Sequence, residues 1–254
     1  MTGLILLALT GVAVVVLLVT TARPPAVAPT DRAAYFDRWQ VLHGGYDPRT
    51  GSVPLRGWLT LVHGLARPLA RAGVQPDAVT ISSIWVAGLV LVLCDAGGHW
   101  WVLAGLGMVA GGLCDTLDGC LAVLQNRTTR WGYVLDSVVD RINDTLYLVA
   151  LVLVGCPGWL AVACGFGFFL LEYLRARAGN AGGDEVGLIT MAERPTRVIV
   201  LSLSVLLSGV FPSLCLVLSA LGPAVLLIMT AVSVVQLGLT VRRQLAALPS
   251  DRPR

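Results

Sequence analysis

The chain has 254 residues, of which 56% are hydrophobic and only 13% charged, and its mean hydropathy is +0.79. That balance excludes an ordinary soluble domain and describes a polytopic membrane protein. The net charge of +3 is carried by arginine, since all 18 basic residues are Arg and none is Lys, and no nucleic-acid partner is expected.

Residues 3–21 form an uninterrupted apolar run of about the length that crosses a bilayer. No basic residue precedes it, whereas Arg23, Arg32 and Arg38 follow it, so the positive-inside bias places its start outside and its end in the cytoplasm. A cleaved signal peptide needs the opposite flanks, and residues 1–22 are therefore read as an uncleaved transmembrane anchor. Residues 23–55 contain Pro, Arg and Asp and read as a cytoplasmic linker. From Arg56 to Ala72, the pattern Trp58, Leu59, Val62, Leu65 and Leu69 with Arg56, Arg67 and Arg71 fits an amphipathic helix on the membrane surface, broken or kinked near Pro68.

Pro76-Asp77 then signals a helix start, with Thr80 in the first turn. Six spans are expected, at roughly 78–94, 99–124, 132–155, 158–174, 197–211 and 214–240. The fold class is thus an all-α polytopic membrane bundle. Six core helices lie within residues 56–241, joined by one extra N-terminal transmembrane helix and the juxtamembrane amphipathic helix, and residues 242–254 form a tail. Starting the first core span in the cytoplasm puts every cluster of two or more arginines on that side: the Arg127/Arg130 loop, the Arg175 to Arg197 segment and the Arg242/Arg243 tail. Gly107 and Gly111, four apart, mark a close helix contact. The six cysteines lie in or beside apolar runs without zinc-like spacing and read as small buried hydrophobes.

Against this apolar background stand four carboxylates. Asp115 and Asp118 share one face of one expected helix, and Asp136 and Asp140 share one face of the next. The short connection makes those helices antiparallel neighbours, so the two pairs can converge. Ionised groups at membrane depth cost roughly 2.5 to 3.5 kcal/mol each on insertion scales and persist where something compensates them. All-carboxylate ligands suit hard divalent ions such as Mg²⁺ or Mn²⁺. Gly119 and Ala122, one and two turns from Asp115, leave room beside the metals for a flat or phosphorylated ligand.

The run Asp115-x2-Asp118-Gly119-x2-Ala122, then Gly132-x3-Asp136-x3-Asp140, resembles the signature of the CDP-alcohol phosphatidyltransferases, integral membrane enzymes of phospholipid synthesis. Seven of eight fixed positions match; the family has Arg where this chain has Val123. The resemblance implies transfer of a phosphatidyl group from CDP-diacylglycerol to an alcohol with release of CMP. It implies two Mg²⁺ or Mn²⁺ ions held by Asp115, Asp118, Asp136 and Asp140, with Asp140 also the base. It further implies a multi-pass plasma-membrane protein whose active site faces the cytoplasm, and a homodimer. Pro76-Asp77-Ala78-Val79-Thr80 resembles the family element that borders the nucleotide. Gly119, Ala122, Val123 and Thr129 fall at donor-binding positions, and Arg127 could supply the charge that Val123 lacks. Tyr173 to Arg177 and Ala192 to Arg197 resemble the bacterial branch that makes phosphatidylinositol phosphate. There, arginines at the positions of Arg175, Arg177, Arg194 and Arg197 hold the acceptor's phosphate, which favours inositol phosphate or glycerol 3-phosphate. Two other readings are an inactive family member, suggested by Val123, and a cation transporter using intramembrane carboxylates.

Overall fold

Apolar residues recur through nearly every segment, and helices are the open-ended structures that satisfy their own backbone in a bilayer. The computed structural model describes residues 2–23, 31–42, 47–50, 53–182 and 190–247, and among them are nine α-helices and no strand. These are α1 (Thr2–Thr21), α2 (Arg32–Leu42), α3 (Val53–Arg71), α4 (Pro76–Ala96), α5 (Trp100–Leu124), α6 (Arg130–Val154), α7 (Gly158–Asn180), α8 (Arg194–Val210) and α9 (Cys215–Ala246).

Among the described residues, four segments are long and apolar enough to cross a membrane: α4, α5, α7 and Pro212–Ala246. Helix α6 is interrupted by Arg130, Asp136, Asp140, Arg141 and Asp144, and α8 has only 17 residues. Both are nonetheless built into the bundle, α6 against α4 and α7, and α8 against α5 and α9. The chain is a multi-pass helical membrane protein.

The main core joins α4 to α9 through residues such as Ala87, Met108, Tyr147, Phe168, Leu201 and Leu226. Helix α5 threads its centre because its glycines let neighbours approach: a Cβ at Gly105 would lie 2.9 Å from the Ser202 carbonyl oxygen, and one at Gly107 2.8 Å from Val90. At Gly111 it would collide with the Tyr147 hydroxyl. The close contact expected at Gly107 and Gly111 is therefore with α4 and α6.

A second cluster lies at one end of the bundle, where Tyr35 and Phe36 of α2 and Leu59, Val62 and Ala66 of α3 pack with Leu121, Val123 and Leu124 of α5. Helix α2 departs from the expected linker. Its two aromatic side chains bury a large apolar area, and Asp31 caps it by accepting from the Ala34 N–H at 2.8 Å. The expected amphipathic helix is α3. It runs through Pro68 to Arg71 and buries Leu59 and Val62, while Leu65 faces outward. The end of α1 is tied to the turn between α3 and α4, where the Arg23 N–H donates to the Gly73 carbonyl at 2.8 Å. Gly73 has φ +75°, and a Cβ there would run into the Arg23 backbone, so glycine is required twice over. All six cysteines are free, four of them buried.

Candidate functional site

The turn between α5 and α6 sets the geometry. Asn126 ends α5 in the left-handed region at φ 53°, and the Arg127 N–H reaches back to the Ala122 carbonyl at 2.8 Å, a Schellman-type closure that reverses the chain. Thr129 then caps α6, its hydroxyl accepting from the Gly132 N–H at 2.9 Å. Gln125 fastens the turn to the connection between α3 and α4 by donating to the Val74 carbonyl at 2.8 Å.

This reversal brings the carboxylates together. One oxygen from each of Asp115, Asp136 and Asp140 lies within 4.8 Å of the others, an all-oxygen group that fits a hard divalent ion. Asp118 sits one turn further along α5, buried, accepting from the Thr80 hydroxyl at 2.5 Å and from the Gly119 N–H at 2.6 Å. A Cβ on Gly119 would meet nothing within 4 Å, so the space beside that residue, next to Asp118 on α5, is open. Around Gly132, the Thr129 hydroxyl and the Asp77 carboxylate both approach, at 3.1 and 3.5 Å from where a Cβ would stand. Two of the expected donor-site residues, Asp77 and Thr129, are thus neighbours at the same end of α4 and α6.

The remaining donor candidates divide. Ala78 and Val79 are buried, and Pro76 is half-buried at the start of α4. Val123 points into the apolar cluster with Tyr35 and Phe36, 7% exposed. Arg127 donates to the Gln125 side chain at 3.2 Å.

The arginines expected at the acceptor take different places. Arg194, at the first turn of α8, forms ion pairs with Asp115 and, at 2.9 Å, with Asp140. Its guanidinium therefore lies directly on the acidic group. Arg197 is fully buried: it donates to the Ala192 carbonyl at 2.9 Å, to Asp144 at 2.9 Å and to Glu172 at 2.5 Å, and it lies over the Phe168 ring. Arg175 pairs with Glu193 at 2.8 Å and Glu172 at 3.2 Å, while Arg177 is exposed near the end of α7.

Sequence reading missed the network beneath the acidic group. Arg141 contacts Asp144 at 3.3 Å and Glu172 at 3.5 Å, so Asp144, Glu172 and Glu193 with Arg141, Arg175 and Arg197 link α6, α7 and the start of α8. Spacing held part of the signal, since Asp144 follows Asp140 by one turn and Arg197 follows Arg194 by one turn.

Comparison with known proteins agrees with this geometry. A model of the CDP-alcohol phosphatidyltransferase family matches residues 74–235, from the start of α4 into α9. The phosphatidylinositol phosphate synthase of Cutibacterium acnes is 33% identical over 199 residues, covering 74% of this chain and 95% of that one. The archaetidylinositol phosphate synthase of Pyrococcus horikoshii is 30% identical, over 58% of this chain and 77% of its own. Among solved structures, the phosphatidylinositol phosphate synthase of Mycobacterium tuberculosis with CDP-DAG bound superimposes with a TM-score of 0.61 at 25% identity, covering 77% of this chain and 98% of that one. The same enzyme in complex with manganese and citrate gives 0.60 at 26% identity, covering 76% and 92%. With the family model spanning the core helices and the signature carboxylates converging, the chain belongs to the CDP-alcohol phosphatidyltransferases.

Proposed function

We propose that the protein transfers a phosphatidyl group from CDP-diacylglycerol to inositol phosphate, releasing CMP, with glycerol 3-phosphate as the acceptor to be tested against it. The observation that carries the reading is the meeting of Asp115, Asp136 and Asp140, with Asp118 beside them, inside a chain of this family. The Cutibacterium and Mycobacterium relatives, both named phosphatidylinositol phosphate synthases, support the choice of acceptor.

Asp115, Asp118, Asp136 and Asp140 would hold two Mg²⁺ or Mn²⁺ ions, which when bound supply the positive charge that offsets the leaving phosphate. Asp140 accepts the proton of the attacking hydroxyl as the new P–O bond forms and the bond to the CMP oxygen breaks. Asp77, Thr129 and the open face at Gly119 border the donor. Arg194 lies at the acidic group and is the best placed of the four acceptor arginines to meet a phosphate, for which its planar fork is suited. Arg197, with its guanidinium already engaged by Ala192, Asp144 and Glu172, holds the helices that carry the site. The ends of the helices that bear the carboxylates and these arginines face the cytoplasm in this reading, where a nucleotide-linked lipid and a water-soluble acceptor can both arrive.

The test is CMP release from purified protein given CDP-diacylglycerol, Mg²⁺ or Mn²⁺ and a panel of acceptors. Release with inositol phosphate, lost in Asp140→Asn, supports the assignment. No release with any acceptor, or release that survives Asp140→Asn, overturns it.

A further inference from the structure

Helix α4 contributes none of the four signature carboxylates, yet it packs against both helices that carry them. Side-chain hydrogen bonds cross it in two pieces that meet at the backbone of Thr80. Asn143 of α6 donates through Nδ2 to the Ser83 hydroxyl at 2.8 Å; Ser83 donates to the Thr80 carbonyl at 2.7 Å; the Thr80 hydroxyl donates to Asp118 of α5 at 2.5 Å. All four side chains are buried. Asn143 follows Asp140 by three residues, so the run begins one turn beneath the α6 carboxylates and ends on the α5 carboxylate that stands apart from them.

The direction of each proton matters. The Thr80 hydroxyl has one hydrogen and two acceptors within reach, the Pro76 carbonyl at 3.2 Å and the Asp118 carboxylate at 2.5 Å. The nearer, charged acceptor takes it. Ser82, two residues on, shows the ordinary alternative, since its hydroxyl donates back to the Ala78 carbonyl at 2.7 Å. Thr80 instead reaches out of its own helix, and with the Gly119 N–H on the other oxygen it leaves Asp118 a single orientation.

We propose that Thr80, Ser83 and Asn143 are positioning residues that lock Asp118 in register with the Asp136 and Asp140 turn of α6, so that the four carboxylates meet divalent ions as one preformed set. The proposal rests on Asp118 being a metal ligand. Partners of this kind orient the ligating group, and their loss costs about 10- to 100-fold in metal affinity.

The experiment measures Mn²⁺ binding to the purified full-length protein by the paramagnetic resonance signal of free Mn²⁺, alongside the thermal midpoint and the Mn²⁺ dependence of CMP release. Thr80→Val, which keeps shape and removes the hydroxyl, is expected to weaken Mn²⁺ binding about tenfold. It should raise the Mn²⁺ concentration for half activity by a similar factor. Thr80→Ser should restore binding. Asn143→Ala should weaken binding less, because Asn143 acts on Asp118 only through Ser83 and the Thr80 backbone carbonyl. Thr80→Val binding as the parent does, Thr80→Ser failing to rescue, or Asn143→Ala weakening binding more than Thr80→Val would each overturn the proposal. Unchanged binding in Asp118→Asn would remove its premise, and no Mn²⁺ binding by the parent protein would instead sink the metal-dependent function itself.

Discussion

Arg197 and Asp144 meet at 2.9 Å in the interior of the bundle, the first fully buried and the second 1% exposed. A charge pair this deep is held by its geometry, and removing one partner strands the other. Arg197→Met should therefore cost about 3 to 5 kcal/mol, the range for breaking a buried pair from one side. The double variant Arg197→Met with Asp144→Leu should recover much of that loss. Thermal midpoints in detergent check both, and a single variant as stable as the parent would show that the pair does not hold α6 to α8.

Arg194 presents the contrasting case, because its ion pairs are with the candidate ligands Asp115 and Asp140. Arg194→Ala should raise KM for the phosphorylated acceptor about tenfold or more, as expected for loss of a charged partner worth about 1.5 to 3 kcal/mol, and change KM for the donor little. Mn²⁺ binding without substrate should stay level or tighten, since the guanidinium competes for the same oxygens. Weaker Mn²⁺ binding with an unchanged acceptor KM would assign Arg194 to the metal site's architecture instead.

Restoring the family residue at position 123 tests how far this chain has diverged. Val123 packs in the cluster with Tyr35, Phe36 and Leu59, so Val123→Arg forces a guanidinium into an apolar setting. A lower thermal midpoint and no gain in donor affinity are expected. Arg127→Ala should raise donor KM while leaving acceptor KM alone. An unchanged donor KM would reject Arg127 as the replacement for the missing arginine.

At Gly73, substitution by Ala meets both a positive φ and the Arg23 backbone. A strained residue of this kind costs about 1 to 3 kcal/mol, and here the structure can relieve it by releasing the end of α1. Gly73→Ala should lower the midpoint and make the segment after α1 easier to cleave with protease. Unaltered proteolysis would show that α1 is held chiefly by its contact with α4.

The carboxylate centre was readable in the sequence because helical spacing alone puts Asp115 with Asp118 and Asp136 with Asp140, and the caps at Asn126 and Thr129 close a short turn between them. The core helices were legible for the same reason, as long apolar runs bounded by Pro, Gly and Arg. Helix α2 was not, since an isolated 11-residue helix of mixed polarity has no strong signal, and what stabilises it is burial of Tyr35 and Phe36 against α3 and α5. Nor could spacing tell Arg194 from Arg197. Both lie on one face of α8, but Asp144 and Glu172, which claim Arg197, come from α6 and α7 and become its neighbours only after folding.

The buried network has an electrostatic corollary. Arg141, Arg175 and Arg197 are matched by Asp144, Glu172 and Glu193, so that layer is formally neutral, and the four signature carboxylates meet Arg194, with Arg141 shared at 3.9 Å from Asp140. Formal carboxylate charge in that group exceeds guanidinium charge, a balance that disfavours a pyrophosphate without cations. In the proposed reaction that sign favours divalent cations entering before the anionic donor or together with it.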